Sequence, residues 1–443
     1  MSDTSLHIIS RDHHTVSRRS ISPSALKVMQ RLHDHGFQAY LVGGGVRDIL
    51  LNQQPKDFDI STNAHPEQVH ALFKNSRLIG RRFKLVHILY GRETIEVATF
   101  RGQAEAHEEK QSEHGMLLRD NVYGTIEEDA IRRDFTINAL YYSPKDFNVY
   151  DFVGSVDDIQ NKLIRMIGDP ETRYREDPVR MLRALRFAAK LNFNIEENTK
   201  NPIYELAPLL GNISPARLFD EVLKLFLSGN AVSLFKALRH FYLFETLFPF
   251  VHNTLKQHTK RNFYIKMIEQ GLQNTDERIL AEKPITPAFL YATLLWPEVD
   301  RLWNQLKEQG VSDFPALQQA SQQTISSQVK HISIPKRFTL MIKEIWEYQI
   351  RLRRIQGKKP LQLIEEPRFR AAYDFLILRE SAGENCQGLG KWWTEFQLKN
   401  PAPIHRKASR KPLGYAKENA KENAKENTDK SSFTKRRRRP KRV

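Results

Sequence analysis

Leu41-Val42-Gly43-Gly44-Gly45-Val46-Arg47-Asp48-Ile49-Leu50-Leu51, followed at once in the chain by a polar turn and then Pro55-Lys56-Asp57-Phe58-Asp59-Ile60, is the stretch whose reading decides the fold. Residues 37–42 predict a strand, the glycines a tight turn, and a short helix starts near Val46. If Asp57 and Asp59 lie on a strand, they share one face, while Phe58 and Ile60 face a core. Two carboxylates side by side suit a hard cation such as Mg²⁺, which fills the rest of its shell with water and substrate phosphates. Two such ions about 3.5–4 Å apart can clamp the attacking and leaving oxygens of an in-line displacement. An Asp-x-Asp alone is more often a surface pair. The glycine turn changes that reading: backbone N–H groups at a helix start approach phosphate oxygens closely, and Arg47 adds positive potential. The Gly-Lys-Ser/Thr ending of a P-loop is missing. A nucleotide site of another kind is expected.

Further blocks carry chemistry or structure. Thr125 with Glu128 predicts a capping box, and Arg132-Arg133-Asp134 follows its helix. In Arg175-Glu176-Asp177-Pro178-Val179-Arg180, Asp177 and Pro178 read as N-cap and first residue of a helix whose buried stripe is Val179, Leu182 and Leu185. Ser214-Pro215 opens another helix, on which Arg217 and Glu221, four apart, predict a local ion pair. Residues 84–90 and 94–100 predict a hairpin across Gly91-Arg92, a two-residue, glycine-first loop. Glu96, between Ile95 and Val97, faces either the acids or solvent.

Taken together, Gly43-Gly44-x-Val46-Arg47-Asp48 with Asp57-x-Asp59 resembles motif A of the class II nucleotidyltransferases, the superfamily of tRNA CCA-adding enzymes and bacterial poly(A) polymerases. Arg132-Arg133-Asp134 is similar to motif B, Glu176-Asp177-x-x-Arg180 to motif D, and Ser214-Pro215-x-Arg217 with Glu221 and Lys224 to motif E. The resemblance implies that Asp57 and Asp59 hold two Mg²⁺ ions and that Gly44, Gly45, Arg47 and Asp48 bind the nucleotide. It implies that Arg132 and Arg133 contact it, with Asp134 near its ribose or counted among the catalytic carboxylates; either Asp134 or Glu96 would be the third acid. Glu176, Asp177 and Arg180 would read the base edge, a selection that works because a wrong edge leaves buried polar groups unpaired. Motif E is expected to be mainly structural.

The stretch 78–88, containing Gly80-Arg81-Arg82-Phe83, is similar to the block that separates bacterial poly(A) polymerases from CCA-adding enzymes, and residues 161–174 point the same way. The implied activity is template-independent addition of AMP from ATP, as substrate, to RNA 3′ ends. CCA addition to tRNA is the alternative, and a non-catalytic RNA-binding adaptor the second. The implied partners are RNA 3′ ends, ATP and RNA-decay proteins, with no DNA.

Composition bounds the rest. At 443 residues the chain is long enough for two or three cores. One cysteine, Cys386, excludes an intrachain disulfide and a cysteine-cluster zinc site, as expected in a reducing cytoplasm. No apolar run reaches the roughly 20 residues of a membrane span, and no signal-type stretch opens the sequence, so a cytoplasmic location is expected. Net charge is +17, and 401–443 alone carries 15 Lys plus Arg against 4 Asp plus Glu. Such a low-apolar, basic tail predicts disorder and salt-sensitive RNA binding.

The expected architecture is an α/β nucleotidyltransferase head followed by an all-α neck and body and a disordered basic C-terminal tail. Its divisions are a flexible leader (1–20), the head (21–150), a neck for base recognition (151–212), a helical RNA-binding body (213–400) and the tail (401–443). Ser22-Pro23 opens the head's first helix and Gly36 ends it. Trp392 and Trp393 are expected in a core rather than as base-stacking platforms.

Overall fold

The computed structural model describes residues 6–80, 84–102 and 122–401. The tail and Arg81-Arg82-Phe83 therefore lie outside the described residues.

Eight strands form the head: β1 (His7–Ile9), β2 (Ala39–Val42), β3 (Asp59–Thr62), β4 (Ser76–Ile79), β5 (Leu85–Tyr90), β6 (Glu93–Thr99), β7 (Leu140–Tyr142) and β8 (Val149–Asp151). Their spatial order is β1-β8-β7-β2-β3-β6-β5-β4. Every pairing in this sheet is antiparallel except β3 with β6, which lie parallel because the intervening chain crosses over through a helix and the strands β4 and β5. The β5–β6 hairpin has the expected two-residue loop, Tyr90 opposite Glu93, with Gly91 at φ +59°.

Alternation along the strands gives the sheet two faces. Ala39, Leu41, Ile60, Val86, Ile88, Ile95 and Val97 face back, against α1 (Pro23–Asp34) and α3 (Pro66–Leu72). Ser22 caps α1 by accepting from the Ala25 N–H at 3.1 Å, Pro23 is its first residue, and Gly36 turns the chain at φ +83°. The front face carries Asp59, Ser61, Glu96 and His87. Beside them a smaller cluster of Val42, Phe100, Ala130, Tyr141 and Phe152 lies under α4 (Ile126–Ile131). Between α1 and α3 in the chain comes α2 (Gly44–Leu50).

The leader departs from expectation. His7–Ile9 pairs with β8, and Val16 is fully buried, so residues 6–20 dock on the head. Unpaired N–H and C=O groups on the edge of β8 give even a three-residue apolar run a partner, a gain that composition alone does not reveal.

The neck comprises α5 (Ser155–Gln160), α6 (Pro170–Glu176) and α7 (Val179–Leu191), with a two-stranded parallel ribbon, β9 (Leu163–Ile164) and β10 (Asn194–Ile195). The remainder to residue 399 is helical, as expected. Its main core is continuous with that of the head and neck, and a second cluster surrounds Trp393. Trp393 is fully buried and donates to the Leu352 carbonyl at 2.9 Å, while Trp392 stacks on Phe396.

Candidate active site

The turn at Gly43 organises the front of the head. Gly43 has φ +65° and ψ −129°, a conformation that side chains resist, and a Cβ there would stand 3.2 Å from Arg133 Nη1. Because the chain turns away at this point, Val42 opposite Asp59 is the last pair between β2 and β3. Asp57 consequently precedes the strand rather than lying on it, a correction to the expected strand placement of both acids. Both are nonetheless exposed, and the Asp57 backbone lies against Gly45, so the glycine turn and the acids are brought together.

Register supplies a third acid. Asp59 on β3 pairs directly with Glu96 on β6, and Glu96 pairs with His87 on β5, giving a row of three polar side chains across the front. His87 Nε2 lies 3.3 Å from Glu96 Oε2. Asp59 is open to water along one edge. Protein packed around the rest of it withholds hydration, and repulsion from Glu96 and Asp57 exceeds what Arg133 and His87 offset, so its pKa is pushed up to about 6. Asp57, Asp59 and Glu96 offer hard oxygen donors of the kind a divalent cation takes. No three His, Cys, Asp or Glu side chains close around one point among the described residues.

Motif B lies beneath. The expected capping box forms, with Thr125 and Glu128 exchanging bonds of 2.7 and 3.2 Å. Arg132 donates to the Gly102 carbonyl at 2.6 Å. Arg133 turns inward to Tyr141 Oη, Asp129, Ser61 and the Asn138 carbonyl. Asp134 accepts from the Phe135 N–H at 2.9 Å, from Asn138 Nδ2 at 3.2 Å and from Arg183 Nε at 2.6 Å. Burial by itself would raise the Asp134 pKa, but Arg183, Asn138 and the Phe135 amide together hold it below the usual carboxylate range. Its Oδ2 is thus committed to the neck and its Oδ1 to Phe135 and Asn138, whereas Glu96 stands in line with Asp59.

Arg47 and Asp48 also depart from expectation. Arg47 is 2 % exposed, and its guanidinium donates to Asp48 Oδ1 and, at 2.5 Å, to Asn138 Oδ1. Asp48 is in turn 3.5 Å from Lys190 on α7. Both side chains are turned inward and bonded within the protein. They pin α2 to the neck, because the first turn of a seven-residue helix lying on the sheet points these positions inward. The result is a continuous polar chain, Lys190–Asp48–Arg47–Asn138–Asp134–Arg183, that leaves α7 and returns to it.

In motif D, Asp177 accepts from the Val179 N–H at 3.3 Å, but it stands one residue ahead of the expected position, since α7 begins at Val179 with Pro178 at its N-cap. Glu176 is held between Arg173 at 2.7 Å and Arg180 at 2.8 Å. Asp177 instead reaches Arg217 at 2.6 Å, and Glu221 pairs with Lys224 at 2.7 Å. The expected local Arg217–Glu221 pair is therefore absent. Glu221 is turned toward the core, and Arg217, on the first turn of Pro215–Phe226, is free to span to the neck. Arg173 also donates to the Arg132 and Arg133 carbonyls at 2.6 and 2.9 Å, joining motifs B and D. Arg173, Arg183, Asn138 and Lys190 were not singled out by sequence. A signal existed on α7, where Arg180, Arg183, Phe187 and Lys190 follow helical spacing on one stripe.

A front sheet face bearing acids, a glycine turn beside them and a charged neck helix across from them define a nucleotidyltransferase. Residues 39–165 match the poly A polymerase head domain, 192–255 the probable RNA and SrmB-binding site of polymerase A, and 309–443 the polymerase A arginine-rich C-terminus. Poly(A) polymerase I of Salmonella typhimurium is 50% identical over 402 residues, covering 89% of this chain and 86% of that protein. The chain belongs to the poly(A) polymerase I family. A CCA-adding enzyme of Lactobacillus helveticus is 40% identical over 48% of the chain. The Thermotoga maritima CCA-adding enzyme complexed with tRNA shares the fold at a TM-score of 0.59 and 21% identity, over 89% of this chain and 86% of that one.

Proposed function

We propose that this protein is a polynucleotide adenylyltransferase that adds AMP from ATP to RNA 3′ ends by in-line attack of the 3′-hydroxyl on the α-phosphate. The observation that carries the reading is the front-face acid row beside the Gly43–Gly45 turn, in a chain similar over most of its length to poly(A) polymerase I. CCA-adding relatives match about half of the chain, which favours AMP addition over CCA addition.

Asp57 and Asp59, with Glu96 as third carboxylate, would hold Mg²⁺; when bound it lowers the pKa of the 3′-hydroxyl and neutralises charge on the departing pyrophosphate. The backbone N–H groups of Gly44 and Gly45 line the phosphate side, since the α2 side chains Arg47 and Asp48 are turned inward. Arg132, Arg133 and Asp134 form the floor on which the nucleotide's sugar rests. Asp134 is held rigid by Arg183 and Asn138, so its contribution is a fixed acceptor that needs no reorganisation. Glu176, Asp177 and Arg180 set the base edge, the Asp177–Arg217 pair being the more exposed of their ion pairs. Catalysis of this kind is positioning and charge neutralisation, with no covalent intermediate. RNA-decay proteins as partners and a cytoplasmic location belong to the same proposal. Among the described residues, no helix is long and apolar enough to cross a membrane.

The test offers the purified protein a generic RNA and a tRNA lacking its 3′ end, with Mg²⁺ and either ATP or CTP. Long extension of the generic RNA with ATP alone is expected. Addition of two C and one A to the tRNA alone would establish the CCA activity instead, and no extension would return the chain to the adaptor reading.

A further inference from the structure

Arg47, Arg183 and Arg186 converge on one ring. Their guanidinium carbons lie 5.5, 5.3 and 5.4 Å from the Phe187 centroid, and Phe187 itself packs edge-on against Phe135 of motif B. Two of the three charges are matched, Arg47 by Asp48 and Arg183 by Asp134. Among the described residues the third, Arg186, makes no hydrogen bond and no ion pair. Glu221 and Asp134 are close enough to act on it, but each is already bonded, Glu221 to Lys224 and Asp134 to Arg183. Arg186 is nevertheless partly buried, and loss of hydration, reinforced by Arg183 and only partly offset by Glu221 and Asp134, depresses its pKa.

A partly buried cation beside two others, with no acid bonded to it among the described residues, is unfavourable on its own. The planar fork of a guanidinium suits a phosphate bidentately, and an aromatic face beneath it fixes its plane. Arg47 shares the Phe187 ring and adjoins the glycine turn, which places Arg186 near the nucleotide side of the site.

We propose that Arg186 is a phosphate-binding residue at the junction of head and neck, whose unfilled hydrogen-bonding positions are taken up by a phosphate of the bound substrate. The inference rests on the nucleotidyltransferase reading of the site. The phosphate belongs either to the nucleotide's triphosphate or to the phosphodiester next to the RNA 3′ end.

The test compares full-length Arg186→Gln and Arg186→Lys with the unaltered protein, measuring thermal stability, equilibrium binding of Mg²⁺-ATP, inorganic pyrophosphate and RNA, and KM for ATP and RNA. A hydrogen bond to a charged group accounts for about 10- to 100-fold in affinity. Arg186→Gln should lose roughly that much binding without losing stability, since removing an unmatched cation beside Arg183 relieves repulsion; Arg186→Lys should recover part of it. Weaker ATP and pyrophosphate binding with unchanged RNA binding assigns the triphosphate, and the reverse, with a shallower salt slope, assigns the RNA phosphodiester. Unchanged binding of all three, or a loss of binding that follows a loss of stability, overturns the inference. Failure of the unaltered protein to extend RNA would overturn the enzymatic reading while leaving the binding comparison legible.

Discussion

The Arg183–Asp134 bridge gives a prediction with a magnitude. The Asp134 side chain is 12 % exposed and that of Arg183 32 %, and the Arg183 guanidinium approaches one carboxylate oxygen through both Nε and Nη2 at 2.6 Å. Removing one partner of a fully buried pair costs about 3–5 kcal/mol. Arg183 is about a third open to water, which screens the pair, and Asp134 keeps the Phe135 amide and Asn138. A cost of about 2–3 kcal/mol is therefore expected for Arg183→Ala. All five tryptophans lie in the helical body, so their fluorescence does not report on the head–neck junction. The suitable assay is amide hydrogen exchange across Val179–Leu191, in a double-mutant cycle with Asp134→Ala. About 2 kcal/mol of coupling in the local opening free energy is expected.

The sign with pH follows from the depressed pKa of Asp134. Its contribution is present above the unfolded carboxylate value of about 3.9 and is lost as pH falls through the lower folded value. The gap between Arg183→Ala and the unaltered protein should therefore be full at neutral pH and close under acid. Coupling below about 0.5 kcal/mol, or a gap indifferent to acid, would refute the buried bridge.

Asp57→Ala should abolish AMP addition while leaving RNA binding within about twofold, read by product gels and filter binding; residual turnover above about one part in a hundred would count against a metal-ligand role. Glu96→Gln removes a like charge beside Asp59, whose pKa is pushed up to about 6, so the acid limb of the pH–rate profile should move to lower pH. In metal-free protein the raised pKa means the folded state binds a proton more tightly than the unfolded chain, so stability should fall as pH rises toward 6, and Mg²⁺ should restore it. Deleting residues 401–443, which remove a net charge of +11, should weaken RNA binding and flatten its salt dependence while leaving ATP affinity unchanged; an unaltered salt slope would argue against phosphate contacts by the tail.

Local chemistry was legible in the sequence. The glycine turn, the Thr125–Glu128 box, the Ser22-Pro23 helix start and the Gly91-Arg92 hairpin are each set by residues within a few positions of one another, and all were readable without the fold. Proximity of Asp57 and Asp59 to the turn was likewise fixed by spacing. The partners of the charged residues were not. Arg47 and Asp48 read as nucleotide-binding residues, and nothing in their spacing told that they are buried against Asn138 and Lys190. Arg217 read as a local partner of Glu221 and spans to Asp177. Glu96 read as ambiguous until β3 and β6 were brought into parallel register. A charge has many opposite charges within reach of its own segment, and local spacing ranks only those. Which one it meets depends on how head, neck and body pack, and on which side of a helix faces that junction. Sequence determined the chemical groups and their local geometry, and tertiary packing decided which charges neutralise each other and left Arg186 without an ion pair among the described residues.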